Sequence, residues 1–256
     1  MTISISAPVS LMGFVPFLRK ELREWRTKRV AIAFFLVAAL LGGVALLGVN
    51  TFFLPQGVTP PTRAEVITNV MTMYANNAIW ITLISIFSAM GAMVRERESG
   101  TLAWSLSKPL SRSAVLAAKW LGTTLMVWLL GIVLQGGVLA VIEALHGPAL
   151  PNLGGVLMAY VGAFCAIGFW VLLCLLLSCL LKETAGVGAG ALLVSVAPLL
   201  LDNLPLALQP LLTLYPTHFL DWAIARPIHG AKLWGYVLWM AGMAIATQRL
   251  FSRQEL

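Results

Sequence analysis

Residues 95–120 read RERESGTLAWSLSKPLSRSAVLAAKW and carry seven charges between two strongly apolar runs. Such a segment makes sense if the runs lie in lipid and the charges in water. The composition agrees: 59% of residues are hydrophobic, 11% are charged, and mean hydropathy is +0.89. A soluble domain carries about a quarter charged residues, so this chain has too few to cover a water-facing surface. Several runs approach or exceed the about 20 apolar residues that cross a bilayer as helix. The expected fold class is an all-α polytopic membrane protein.

Working outward from the quoted stretch, six spans are expected, at 30–54, 74–94, 119–142, 154–181, 185–201 and 232–250. All belong to a single transmembrane domain over 1–256. Lys and Arg set the orientation, because cytoplasmic loops carry the excess of both. Fourteen cations fall on one side: six at 19–29, five at 95–119, Lys182, Arg249 and Arg253. Arg63, Arg226 and Lys232 fall on the other. Both termini are therefore expected in the cytoplasm, with the chain multi-pass in the cell inner (cytoplasmic) membrane. FLRKELREWRTKR before the first span is too long and too charged for the n-region of a cleaved signal peptide. Outside, 55–73 is Pro-rich and 143–152 is a short polar hairpin, while 202–231 is apolar but interrupted by Pro205, Pro210 and Pro216. That last pattern predicts short re-entrant helices dipping into the outer leaflet.

The charged segment reads as helix, break, short helix, break, helix. RERESGTL alternates charge, Gly100 permits a reversal, TLAWSLS makes a turn or two, and Pro109 stops it at Lys108. Ser111 sits where an N-cap belongs, ahead of a helix through Ala114 to Trp120. About twenty-five residues of ordered structure exceed what a passive connection needs, so 95–118 is read as a cytoplasmic docking surface. On that reading Glu96 and Glu98 are exposed, and replacing both with Lys should leave folding intact. Upstream, Phe14, Phe17, Leu18, Leu22 and Trp25 recur at helical spacing, with Arg19, Lys20, Arg23, Glu24 and Arg26 elsewhere around the helix. The expectation at 13–29 is an interfacial helix with cations near anionic headgroups.

RERESGTLAWSLSKPLSRSAVLAAKWLG resembles the segment between spans two and three of ABC-2 type transporter permeases, the transmembrane subunits of ABC transporters. Glu96, Arg97, Glu98, Gly100, Thr101, Pro109, Ser111, Arg112 and Lys119 match that pattern in order. Arg19, Lys20, Glu21 and Leu22 look like the family's N-terminal elbow, and YPTHFLDW is similar to a stretch in permeases of the copper-maturation (nitrous oxide reductase accessory) type. The resemblance implies a type V exporter-like architecture that pairs with a second permease copy, homologous or identical, and with cytoplasmic ATPase subunits. It implies that Arg95, Glu96, Arg97, Glu98, Gly100, Thr101, Pro109, Ser111 and Arg112 form a coupling helix against the ATPase. Arg19, Lys20, Glu21 and Arg23 would form the elbow contact beside it. It also implies that spans one and five line the dimer contact, which makes the small-residue pairs Ala38/Gly42 and Gly186/Gly190 packing candidates.

The residues agree on one point independently. No Gly-x-x-x-x-Gly-Lys-Ser/Thr occurs, so the chain has no phosphate-cradling loop. Polar residues within the spans are sparse, whereas an ion relay would want carboxylates or histidines at mid-depth. Energy must come from a partner, with ATP and Mg2+ in that subunit and no cofactor in this chain. The expected function is to couple a separate subunit's ATP hydrolysis to export of a hydrophobic or amphipathic substrate. The alternative is a permease-like scaffold acting mechanically on, or regulating, a partner. An intramembrane hydrolase built on Ser195 and His218 lacks a Gly-x-Ser-x-Gly elbow and a second carboxylate. His146, His218 and His229 show no metal-ligand spacing, and Cys165, Cys174 and Cys179 lie in one apolar run. No basic stretch is interleaved with exposed aromatics for nucleic acid.

Overall fold

A computed structural model describes residues 13–27, 32, 82–106, 111–134, 137, 153–201 and 230–253. Among them every regular element is helical. In chain order they are α1 (Phe14–Thr27), α2 (82–89), α3 (Val94–Glu98), α4 (Thr101–Leu106), α5 (Arg112–Trp128), α6 (Leu153–Leu180), α7 (Thr184–Leu201) and α8 (Gly230–Arg253). The first span with Ala38 and Gly42, residues Lys108 and Pro109, the outer segment at 202–229 and all three histidines lie outside the described residues.

α6 is the axis of the bundle. Its sequence is apolar on every face, as a helix surrounded by other helices should be. It packs against α5, α7 and α8, and Ile167, Trp170, Cys174 and Leu175 are essentially without exposure. Two indoles of α5 fasten it: Trp120 Nε1 donates to the Gly168 carbonyl at 2.8 Å and Trp128 Nε1 to the Tyr160 carbonyl at 2.9 Å. Phe164 lies edge-on to both rings. A buried indole N–H needs such a partner, and a helix carbonyl has a second lone pair to offer. Arg112–Val133 and Tyr160–Leu180 are both long and apolar enough to cross a membrane.

α5 does not stay α-helical. Leu129–Val133 widens into a π turn, which rotates the helix beyond it relative to the turns before it. The expected small-residue contact on α7 is used within the chain. A Cβ on Gly190 would lie 3.2 Å from Leu177, and one on Gly186 would lie 3.6 Å from Leu181, so both glycines face their own hairpin partner. The outward stripe of α7 is Ala185, Ala189, Leu193 and Val196.

One end of the bundle collects the charged termini. α5 begins there, α6 and α8 finish there, and the 181–183 turn leads into α7. α1 lies along the first turns of α5, burying Phe17 and Trp25. The approach is closest at Gly122, where a Cβ would sit 3.1 Å from Glu21 Cβ and 3.4 Å from Leu18 Cδ1. Gly122→Leu should therefore push α1 away and cost about 1–3 kcal/mol, read as a lower melting temperature in detergent. Gly242→Ala, where no heavy atom lies within 4 Å of the added methyl, serves as the control and should not lower it.

Candidate functional site

Lys119 marks the centre of the charged end. It is the eighth residue of α5, set among Ala117, Ala118, Trp120 and Leu121, and it is 2% exposed. An ammonium withdrawn from water needs anions close by. Two supply them: Glu21 Oε1 of α1 and Glu96 Oε2 of α3, each 2.9 Å from Nζ. The other oxygen of Glu96 is 2.9 Å from Lys20 Nζ, which also lies 3.3 Å from Glu24. Charges thus alternate along Glu21, Lys119, Glu96, Lys20 and Glu24, across three helices distant in sequence. The Phe17 ring sits beside both ammoniums, 5.6 Å from Lys119 Nζ and 4.8 Å from Lys20 Nζ.

Burial alone would raise the pKa of Glu96, but Lys119 and then Lys20 outweigh it and hold the carboxyl below its ordinary value. For Lys20 burial pulls the other way, and the bond and charge of Glu96 overcome it, leaving the ammonium above its ordinary value. Glu21, Glu24 and Glu96 bring carboxylate oxygens together as a metal site would. Here Lys119 and Lys20 already stand among them.

The flanking arginines end other helices. Arg97 Nη2 donates to the Ser178 carbonyl in the last turn of α6. Arg112 Nη1 donates to the Phe251 and Ser252 carbonyls of α8, each at 2.8 Å. Cations at helix C-termini satisfy orphan carbonyls and complement the dipole. Ser111 caps α5 where the sequence puts an N-cap, its Oγ accepting from the Ala114 amide at 3.1 Å. Gly100 makes the reversal with φ +71°, and Ser99 and Thr101 hydroxyls both donate to the Glu96 carbonyl at 3.3 Å.

Of the residues the sequence assigns to an ATPase contact, Arg95, Glu98, Gly100 and Thr101 are exposed. Glu96, Arg97 and Arg112 turn inward to the partners above. The sequence expectation that Glu96 is exposed is therefore corrected: its side chain is 13% exposed and holds two ammoniums. The double Glu-to-Lys exchange would put a third cation between Lys119 and Lys20, and folding would not survive it as expected. In α1, Arg19 and Arg23 are exposed, while Glu21 is buried against Lys119. Sequence reasoning missed Lys119 as a hub. Its signal was a single cation in an otherwise apolar helical run, which requires acids from elsewhere. It also left out Trp104, 64% exposed on α4 while Leu102 and Ser105 of that helix are buried. Ser195, raised as a nucleophile, has its hydroxyl donated to the Leu192 carbonyl at 2.8 Å.

Two apolar helices of spanning length are thus joined at one end by a compact ionic and aromatic assembly. The family model described as ABC-2 family transporter protein matches residues 16–256, and the chain belongs to that family. It is thus a membrane protein of the ABC transporter class, from a family of generally non-enzymatic membrane components that normally partner with ABC ATPase subunits. A search of curated proteins found no match.

Lys119→Met should strand the Glu21 and Glu96 carboxylates in the interior and cost about 3–5 kcal/mol, measured as loss of folded protein or a large fall in melting temperature. The pH dependence has a definite sign. The Glu96 contribution is present above the ordinary carboxyl value of 4.5 and is lost as pH falls through its lower folded pKa. That of Lys20 is present below 10.5 and is lost as pH rises through its higher folded pKa. A melting-temperature profile should hold a plateau between these limits, and Glu96→Gln should lower the plateau and shrink the acid limb.

Proposed function

We propose that this chain is the transmembrane subunit of an ATP-driven exporter and that the outward face of α3 and α4 is the seat of its ATPase. The observation that carries the reading is Trp104. An indole 64% exposed stands at the charged end, on a six-residue helix whose opposite face holds Leu102 at 0% and Ser105 at 5%. Arg95, Glu98 and Thr101 surround it in sequence and are likewise exposed. Aromatic anchors rimmed by polar groups are the usual hot spots of protein interfaces.

On this reading the six spans cross the inner membrane with both termini in the cytoplasm, α1 lies as the elbow in the interface, and 202–231 dips into the outer leaflet. Two permease copies, identical or homologous, work with two ATPase subunits that hold ATP and Mg2+. The cargo is hydrophobic or amphipathic, in keeping with the apolar helices, and the chain is similar to permeases of the copper-maturation type. A mechanical role on a partner protein is the second reading. It draws support from the compactness of the charged end, which suits force as well as passage.

Trp104→Ala is the direct test, with the ATPase co-expressed and captured through a tag on the permease. Because the indole is exposed, the melting temperature should stay within about 0.5 kcal/mol equivalent of wild type. Capture should fall about thirtyfold, as loss of a hot-spot tryptophan implies. Wild-type capture by the variant would remove α4 from the interface. ATP hydrolysis that responds to no hydrophobic cargo would favour the mechanical reading.

A further inference from the structure

We propose that the Glu96–Lys119 contact is the joint through which displacement of α3 and α4 is passed to the spanning helix α5, with Glu21 fastening α1 to the same lysine. The inference deepens the ATPase-coupling reading and rests on it. It supplies what that reading lacks, a physical link between the docking face and a span.

The geometry singles out this contact. α1 and α5 are joined along their length by apolar packing through Phe17, Leu18 and Gly122. α3 is five residues long and lacks packing of that extent on either of them among the described residues. Val94 seats it in the apolar core, with Met93 before it and Leu102 of α4 after it, and its directed contacts are polar: Glu96 to Lys119 and Lys20, Arg97 to the end of α6. Each Glu96 oxygen lies 2.9 Å from one ammonium, a hydrogen bond from Lys20 on Oε1 and an ion pair with Lys119 on Oε2, so the carboxylate is drawn in two directions at once. Lys119, at 2% exposure, has no water to fall back on if Glu96 leaves. A shift of α3 that breaks the contact leaves an undercompensated buried charge, which the interior resists strongly. The cheaper response is for α5 to follow, carrying α1 by Glu21. A buried ion cluster contributes little net stability over an apolar one of the same volume, and its best-attested use is to fix register. Here the register fixed is that of a docking element against a membrane helix.

The test compares two isosteric variants in the ATPase complex reconstituted in nanodiscs, Glu96→Gln and Glu21→Gln. Each removes one carboxylate from the same lysine, and Glu96→Gln also releases Lys20, so a merely structural role predicts losses of stimulation in proportion to the fall in melting temperature of each variant. The joint predicts a split. Glu96→Gln should lower permease-dependent stimulation of ATP hydrolysis by about tenfold. Glu21→Gln should keep most of it, and affinity for the ATPase should stay within about twofold in both. Should Glu96→Gln fail to fold, the triple variant Glu21→Gln, Glu96→Gln and Lys119→Met, which leaves no charge of the trio unpaired, should show the same uncoupling. Losses in the two single variants that merely follow their melting temperatures, or full stimulation in the triple variant, would overturn the joint. Loss of ATPase binding in Glu96→Gln would also overturn it, by making the contact a support of the docking face. A wild-type chain that binds no ATPase would fail at the control and remove the coupling reading itself.

Discussion

A lysine ammonium sealed from water stays charged only where carboxylates surround it, and this requirement at Lys119 organises one whole end of the molecule. It draws α1 in through Glu21 and α3 through Glu96. Glu96 in turn fixes Lys20, and with it the face that α1 presents. The apolar packing of Phe17 and Trp25 and the close passage over Gly122 complete the arrangement. The hydrophobic contacts supply most of the attraction, since each buried aromatic withdraws a large apolar area. The ionic contacts decide which residues meet, because a misplaced helix would leave a buried charge stranded.

The same logic places the arginines. The last carbonyls of α6 and α8 need donors, and Arg97 and Arg112 provide them from α3 and the start of α5. Two helix termini are thereby tied directly to α3 and to the start of α5. Among the described residues, the cations expected on the cytoplasmic side divide into two populations. Arg19, Arg23, Arg95, Lys182, Arg249 and Arg253 are exposed, while Lys20, Arg97, Arg112 and Lys119 have partners within the fold.

What was legible in the sequence was local. The apolar runs, the Ser111 cap and the Gly100 reversal depend on neighbours within a few residues, and each can be read from spacing and residue type. The amphipathic pattern of 14–25 likewise gave the buried side of α1, with Phe17 and Trp25 inside. What was not legible was which charges turn inward. Glu21 and Lys119 stand 98 positions apart, and Lys20 and Glu96 stand 76 apart. Nothing in periodicity pairs residues at such separations. A glutamate in RERE looks solvated whether or not a lysine waits opposite, so Glu96 and Glu98 read alike and differ in fact. The Gly186/Gly190 pair was visible as a close-approach motif, but its partner, the hairpin helix of the same chain, was not. Lys119 itself gave a signal, a lone cation in oil, that the regular pattern around it obscured.

The π turn at Leu129–Val133 carries a consequence for how this span is read along its length. An α-helix advances about 100° per residue, so accommodating one additional residue in a turn resets the phase of every side chain beyond it. Trp120 and Trp128, below the turn, share the side that grips α6. A helical wheel drawn from Arg112 loses its register at this turn. A rotation applied at the turns that hold Trp120 and Trp128 therefore meets a break in helical register at Leu129–Val133.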